Sequence, residues 1–329
     1  MVLLIAIVAL ALVFDYTNGF HDTANAIATS VSTRALSPRV AVVMAAVLNL
    51  VGALIYTGVA KTVGVGLVNT DLVTLPLVLS ALVGAVVWNF TTWYFGIPSS
   101  SSQALFGGLI GAMIASAGLS GVLWGGVFDK IILPMIGSPA LGFVFAWLLM
   151  TGLFWLVRKW PPAPVNHWFR ILQPVSAAFM AFSHGSNDAQ KTMGVITLAL
   201  FASGKIQTFD IPFWVKIACA LAMAFGTYSG GWRIIHPLGS KVIKLDPLHG
   251  FAAETAAASV IQLATHFGFP VSTTHTITAA IMGVGSTQRL SAVRWGVAGR
   301  IVWAWLLTIP AAAFVSAVTY WIVSKTVAH

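Results

Sequence analysis

Two short polar stretches interrupt an otherwise apolar chain, and each carries an aspartate three residues after a glycine. The first, GFHDTAN, spans Gly19–Asn25, and the second, GSNDAQK, spans Gly185–Lys191, 166 positions later. Their carboxylate, imidazole, amide and ammonium groups can bind ions and protons. An aspartate exposed to lipid costs at least ~2.5–3.5 kcal/mol, so Asp22 and Asp188 are expected to face a cavity or a partner.

A second pair of similar stretches follows the two aspartate stretches in the same order along the chain. FGIPSSSSQ spans Phe95–Gln103 and FGFPVSTTH spans Phe267–His275, 172 positions later. Each places hydroxyls where a helix restarts after a break, and a helix start also offers unpaired backbone N–H groups and the positive end of the helix dipole. Such a terminus can bind an anion, although plain helix capping would leave the same pattern. The candidate anion ligands are Ser100, Ser101 and Ser102 in the first copy and Ser272, Thr273 and Thr274 in the second.

The two aspartate stretches differ at five of their seven positions, and two of these differences bear on ion binding. His21 stands where the second copy has Asn187, and Lys191 stands where the first copy has Asn25. Two matched Asn and Asp pairs would suit sodium, because hard cations prefer oxygen ligands. The lysine ammonium can instead act as a built-in cation, and an imidazole can bind and release protons near neutral pH. These differences favour coupling to protons through His21, Asp22, Asp188 and Lys191.

Two more titratable residues are candidates for the coupling machinery. Glu254 lies in an apolar helix, where charges are rare and commonly functional. His275 directly follows the second hydroxyl stretch. A packing role with satisfied hydrogen bonds stays open for both residues.

The composition is typical of a helical protein that crosses the membrane several times. Hydrophobic residues make up 58% of the chain, charged residues only 8%, and the mean hydropathy is +0.91, whereas soluble domains carry roughly 25% charged residues. The apolar runs are continuous, which favours helices over a barrel. The single cysteine excludes an internal disulfide, and the net charge of +9 is interpreted as a topology signal rather than as a nucleic-acid surface.

The helix pattern predicts two halves, 1–160 and 161–329, in a single module of about ten spans including hairpins. Met1–Phe14 is interpreted as the start of a spanning helix rather than a cleaved signal, because it lacks a basic segment. This first helix is predicted to run from Val2 to Ser32 and to break at Asp15–Asn25, and its counterpart in the second half should break in the same way. Val127–Ile136 is too short to span and is expected to be interfacial or re-entrant.

The basic loops give an orientation. Arginine and lysine cluster at Arg34/Arg39, Arg158/Lys159/Arg170, Arg233/Lys241/Lys244 and Arg289/Arg294. These loops are predicted to be cytoplasmic and both termini outside. The two aspartate helices then cross the membrane in opposite directions, which is an inverted-topology repeat. Secondary transporters with this architecture bind substrate near the midplane between broken helices.

These motifs resemble the PiT family of inorganic phosphate transporters over almost the whole chain. Both copies of the family's glycine-to-aspartate signature are present, at Gly19–Asn25 and Gly185–Lys191, and so is PVSTTH at Pro270–His275. The residues of these two motifs are similar to those of the bacterial low-affinity branch of the family. The resemblance implies a homodimeric symporter in the cell membrane that imports phosphate with protons, with the phosphate either free or in a neutral metal-phosphate complex, and with no cofactor.

By the same resemblance, the two aspartates belong to a central site and the hydroxyl tips bind phosphate. The hydroxyl tips are the two segments where a helix restarts, residues 99–102 and 271–274. The predicted substrate-binding residues are Asp22, Asn25, Ser100, Ser101, Ser102, Asn187, Asp188, Ser272, Thr273 and Thr274. The predicted coupling residues are His21, Asp22, Asp188, Lys191, Glu254 and His275, and metal ligands are not assigned. His21 and Lys191 depart from the family's sodium pattern. Sodium-coupled phosphate transport, or transport of another oxyanion such as sulfate, remains the alternative.

An enzyme is the rival class. GLSG at Gly118–Gly121 formally resembles an intramembrane serine protease motif, and the two aspartates could form an aspartyl pair. Ser120 has no matched histidine, and an aspartyl pair would not explain the duplicated hydroxyl tips. We therefore expect no enzyme.

Overall fold

The computed structural model describes residues 1–230, 235, 242–243 and 245–327, and these are helical apart from turns and one bridge between Val68 and Val122. The first half contains α1 (Val2–Ser32), α2 (Pro38–Ala53), α3 (Gly58–Val65), α4 (Leu75–Tyr94), α5 (Ser101–Ala117) and α6 (Trp124–Val157). The second half contains α7 (Pro162–Ala202), α8 (Phe213–Ser229), α9 (Pro247–His266), α10 (Thr273–Ser286) and α11 (Trp295–Val327). The predicted basic loop Arg233–Lys244 lies mostly outside the described residues.

Several of the described helices are suited to a membrane. By length and composition α1, α4, α6 and α11 can each cross it, and α2 with α3, bent by 71°, can form a fifth crossing. Their exposed faces carry large apolar side chains, such as Trp303 and Phe314 on α11. The chain is therefore a multi-pass helical membrane protein, and the total of about ten spans stays a prediction.

The predicted breaks at the two aspartate stretches are wrong. Both α1 and α7 run through them as continuous helices of 31 and 41 residues. Gly19 and Gly185 allow close helix contact instead of a chain break. A Cβ on Gly19 would lie 2.4 Å from the carbonyl oxygen of Met223, and one on Gly185 would lie 2.2 Å from that of Asn49. Small residues permit such close packing between membrane helices.

The segment Val127–Ile136 is also not a separate interfacial piece. It forms the first part of α6, which is 34 residues long. A π-helical turn at Phe128–Ile132 ends two residues before Pro134. Proline cannot make the regular i to i−4 bond, and a local π turn absorbs the misfit without ending the helix.

The two halves interlock through matching pairs of helices. α1 packs on α8 as α7 packs on α2, and α5 packs on α11 as α10 packs on α6. Hydrogen bonds show that α1 and α7 run antiparallel, because Asp15 pairs with Thr192, whereas Thr33, further along the chain, pairs with Gln173, nearer the start of α7. The aspartate stretches therefore meet where these two helices cross.

Helix restarts are confirmed at both hydroxyl stretches. Ser100 caps α5 by accepting a hydrogen bond from the backbone N–H of Gln103 (3.2 Å), and Ser272 caps α10 in the same way. The preceding turns hold Gly96 and Gly268 at φ of 64° and 72°, a conformation that favours glycine. The fold thus aims two helix N-termini at the crossing of α1 and α7.

Candidate functional site

Two carboxylates and an imidazole meet at the crossing of α1 and α7. One ligand atom from each of Asp22, His184 and Asp188 lies within 4.8 Å of the others. All three residues are buried, with Asp22 only 2% exposed. Carboxylate oxygens and an imidazole nitrogen are suitable ligands for a divalent cation. The structure therefore brings together the two predicted aspartates and adds a histidine that the sequence had not singled out.

His21 connects Asp22 to the end of α4 and to the first hydroxyl tip. Its Nδ1 lies 2.6 Å from an oxygen of Asp22, and its Nε2 lies 3.2 Å from the hydroxyl of Thr92 and 3.4 Å from that of Ser99. Ser99 in turn donates to Thr92 at 2.8 Å. His21 therefore links Asp22 to the hydroxyls of Thr92 and Ser99.

Lys191, the last residue of the second copy, buries its ammonium group among oxygen atoms. The side chain is buried and its Nζ donates to three oxygens, on Asp188, on the hydroxyl of Ser102 and on the carbonyl of Val271. An all-oxygen shell of this kind is what a bound metal cation would require. The ammonium therefore occupies a position suited to a cation.

The two copies contact the hydroxyl tips reciprocally. Asn25 of α1 donates to Thr274 (2.9 Å) and Thr273 (3.3 Å) at the tip of α10. Lys191, the counterpart of Asn25, donates to Ser102 at the tip of α5. Each aspartate helix thus contacts the tip that belongs to the other half.

The remaining asparagine binds the tip of its own half. Asn187 accepts a hydrogen bond from the backbone of Val271 (3.3 Å) and donates to Thr265 (2.8 Å). His21, its counterpart, makes the matching contact with Ser99. The duplicated residues therefore occupy equivalent positions in the packed structure as well as in the sequence.

Between the tips, anion-binding and anion-repelling groups are mixed. Thr273 donates to the second oxygen of Asp188 (3.1 Å), while the buried hydroxyl of Ser101 has no hydrogen-bond partner among the described residues. The helix starts and Lys191 favour an anion, whereas Asp22 and Asp188 repel one. An oxyanion can therefore bind here only if a cation or protons offset the carboxylate charge.

Glu254 forms a separate polar cluster. It accepts hydrogen bonds from Thr29 and Ser30 of α1 and from Gln173 and Ser176 of α7. Thr29 lies seven residues beyond Asp22, which is about 10 Å along a helix. Glu254, a residue of α9, thus contacts α1 and α7 away from the central carboxylates.

His275 lies outside the group of central carboxylates. Its ring stacks on Trp305 at 3.8 Å between centroids and lines a cavity of about 290 Å³ together with Gln103. Gln103 and His275 are repeat counterparts, each in the first turn of its helix. The prediction of a coupling role for His275 therefore has no direct contact with Asp22 or Asp188 to support it.

Two polar residues of α1 and α7 were not among the site residues predicted from the sequence. His184 lies four residues before Asp188 on one helix face, with Nε2 at 3.3 Å from Oδ2 and Nδ1 held by Asn49 at 3.0 Å. Asp15 lies seven residues before Asp22 and bonds Thr192. The i,i+4 spacing of His184 and Asp188 could have identified His184 from the sequence. Comparison of the two halves gave no such signal for Asp15, because its counterpart is the apolar residue Ala181.

The two enzyme readings gain no geometric support. Ser120 lies on an exposed turn, where its hydroxyl donates to the carbonyl of Ala117 (3.4 Å). Asp22 and Asp188 each have a basic partner of their own, His21 and Lys191. A catalytic aspartyl pair would instead share one proton between its carboxylates.

Comparisons with known proteins agree over almost the whole length. Residues 18–316 match the sequence profile described as the phosphate transporter family. The chain is 51% identical to a probable low-affinity inorganic phosphate transporter of Rhizobium meliloti, covering 97% of this chain and 96% of the relative. It is 46% identical to a protein of the same description from Bacillus subtilis, covering 98% of each. A solved structure described as the sodium-dependent phosphate transporter superposes with a TM-score of 0.90 at 25% identity, covering 99% of this chain and 100% of that one.

Proposed function

We propose that this chain, which belongs to the phosphate transporter family, is a secondary symporter that imports inorganic phosphate across the cell membrane together with protons. The observation that carries the proposal is the reciprocal contact of each aspartate helix with the hydroxyl tip of the other half. Phosphate bound between two such tips would be held by elements of both halves. Rocking of one half against the other would then expose it to one side of the membrane at a time.

The architecture we propose is an inverted-topology repeat with both termini outside. The antiparallel crossing of α1 and α7 and the matching helix pairs support it. The substrate site is formed where two continuous helices cross, with the helix starts of α5 and α10 supplying backbone and hydroxyl donors. We also propose a homodimer, as the family resemblance implies, with residues 1–160 and 161–329 as the two halves of each subunit.

Protons, rather than sodium, are proposed as the coupling ion. The ammonium of Lys191 already sits in an oxygen shell that includes Asp188. The imidazole of His21 lies next to Asp22, and imidazole groups in proteins can bind and release protons. The structural relative at 25% identity is described as sodium-dependent, and that description favours sodium coupling as the second candidate.

We also propose that phosphate is carried as a metal-phosphate complex, and a group of two carboxylates and an imidazole supports this proposal. Asp22, His184 and Asp188 offer two carboxylates and one imidazole within 4.8 Å. A divalent ion bound by these groups would offset the carboxylate charge that otherwise repels phosphate. The tips at Ser101 and Thr273 would then bind the phosphate oxygens.

Uptake into proteoliposomes tests substrate and coupling together. Labelled phosphate is compared with labelled sulfate, with and without sodium, a divalent cation and an inward pH gradient. We expect phosphate uptake that follows the pH gradient without sodium and increases with the divalent cation. A strict requirement for sodium in the native protein would overturn proton coupling, and transport of sulfate alone would overturn the substrate.

Matched variants test the site. Asp22→Asn and Asp188→Asn should each abolish phosphate uptake, because each removes a charge from the centre of the site. Asp71→Asn, at an exposed turn, is the control and should leave uptake unchanged. If both central variants transported at the native rate, the assignment of the site would be wrong.

A further inference from the structure

Asp15 is a buried carboxyl group of α1 that the central site does not use. It is fully buried, and its Oδ1 accepts a hydrogen bond from Thr192 at 2.9 Å. Its Oδ2 has no hydrogen-bond partner among the described residues. One oxygen of the pair is therefore left unsatisfied at the interface of α1 with α7.

The surroundings of Asp15 supply little to balance a negative charge. Among the described residues, the groups that act on it electrostatically from α7 are Asp188 and Lys191, which pair with each other. From α8, the thiol of Cys219 acts on it as a weak hydrogen-bond donor. No described Lys, Arg or His side chain donates a hydrogen bond to it. A buried ionised carboxylate without a paired cation is strongly disfavoured, so the neutral acid fits this conformation.

The position of Asp15 along α1 relates it to the other acidic groups. Asp15, Asp22 and Thr29, which binds Glu254, follow one another at intervals of seven residues. Seven residues are two helical turns, or about 10 Å. Carboxyl groups of α1 and of the helices packed on it therefore occur at three levels along the axis of α1. Asp15 and Glu254 lie on opposite sides of the central pair, Asp22 and Asp188.

The repeat shows that neither outer carboxyl belongs to the duplicated site. The counterparts of Asp15 and Glu254 are Ala181 and Leu82, both fully buried and apolar. The hydroxyl donors to Glu254 at Thr29 and Ser30 likewise have Val195 and Ile196 as counterparts. Asp15 and Glu254 therefore lie outside the duplicated pattern, and neither is among the groups that meet at the crossing of α1 and α7.

We infer that Asp15 is a proton-binding site of the transport cycle, on the side of the central carboxylates opposite Glu254. A proton from water binds Oδ2 of the ionised group, and the neutral acid is buried as α1, α7 and α8 close around it. The proton returns to water when these helices separate. This inference rests on the proposed proton coupling and extends it to a residue that does not touch the substrate.

Comparing net uptake with exchange tests the inference. Exchange of internal for external phosphate needs only the loaded carrier, whereas net uptake requires the carrier to release its protons and return. Asp15→Asn should therefore lose net uptake driven by a pH gradient and keep exchange. Asp15→Glu should retain net uptake with a shifted pH profile, while Asp71→Asn, exposed, should behave as the native protein.

A second measurement is independent of transport. Infrared spectroscopy of the purified native protein should show the carbonyl stretch of a buried protonated carboxylic acid. That band should be missing in Asp15→Asn, displaced in Asp15→Glu and altered in Thr192→Val, which removes the hydrogen bond. If Asp15→Asn does not fold, the displacement in Asp15→Glu decides the question.

The two proposals fail in different ways. Native uptake that ignores the pH gradient would refute proton coupling, and the infrared band would still report whether Asp15 holds a proton. Native uptake that follows the gradient, together with unchanged net uptake in Asp15→Asn, would overturn the inference alone. An infrared band unaffected by Asp15→Asn and Asp15→Glu would overturn it as well.

Discussion

Replacing Lys191 with asparagine should convert the second copy of the site into one that binds sodium. The native ammonium is buried and bonds Asp188, Ser102 and the carbonyl of Val271. Asparagine is the residue at the matching position of the first copy, Asn25, so the change restores the repeat. Because asparagine is shorter and uncharged, it leaves oxygen ligands and a negative charge where the ammonium stood.

The size of the effect follows from burial. Removing one partner of a buried ion pair typically costs about 3–5 kcal/mol, because the other charge is left uncompensated. Lys191 and Asp188 have side-chain exposures of only 1% and 0%, so the full range applies. A cation that binds the vacated position returns part of this loss, about 2.7 kcal/mol at a concentration one hundred times its Kd.

Two measurements on the variant check this reasoning. Thermal unfolding of Lys191→Asn in detergent should occur at a lower temperature than for the native protein in choline chloride, and sodium chloride should raise it again. Phosphate uptake by the variant should require sodium, whereas native uptake should not. Lys61→Asn is the matched control, because Lys61 pairs with Asp210 at 3.2 Å on the exposed surface, and such pairs contribute little.

Potassium at equal ionic strength separates a specific site from general screening. The stabilisation by sodium should exceed that by potassium in Lys191→Asn and be absent in both the native protein and Lys61→Asn. If Lys191→Asn were as stable as the native protein in choline, or if sodium changed neither its stability nor its uptake, the cation role of Lys191 would be refuted.

Three further outcomes are expected. Gly185→Ala should lose phosphate uptake and stability, because its Cβ would lie 2.2 Å from the carbonyl oxygen of Asn49. Gly152→Ala, with open space around its Cβ, should keep both. Thermal unfolding and uptake assays of the two variants check this expectation. Glu254→Ala should lower the free energy of unfolding by at least about 1–3 kcal/mol, because it strands buried hydroxyl donors, and chemical denaturation measures the loss against Glu254→Gln, which keeps most partners. Cysteines placed at either terminus in a Cys219→Ser background should react with an impermeant maleimide from outside the cell, and labelling only in inverted vesicles would reverse the proposed orientation.

Most of the helix positions were predictable because the apolar runs report them directly. The first helix was expected from Val2 to Ser32, and α1 is found at those residues. Both helix restarts at the hydroxyl tips are confirmed as well. Proline and hydroxyl residues act on the adjacent backbone, so their effect can be read locally.

The errors arose where neighbouring helices decide the outcome. The stretches around Gly19 and Gly185 were expected to break, yet α1 and α7 continue through them, and other helices pack closely against these glycines. Val127–Ile136 was too short to span by itself, but it continues into α6 through a π turn. Neither result is encoded in the segment alone.

The sequence by itself determined that this is a helical membrane protein with a duplicated polar site, because hydropathy and repetition are properties of the chain. It also supplied Asp22, Asp188, His21 and Lys191, since charges are costly in an apolar span. Only the tertiary structure decided that Asn25 binds the tip of α10 while Lys191 binds that of α5, and that His184 joins the carboxylates. The physical reason is that these contacts join residues of different helices far apart in the chain, so their distances depend on how the helices pack and cross.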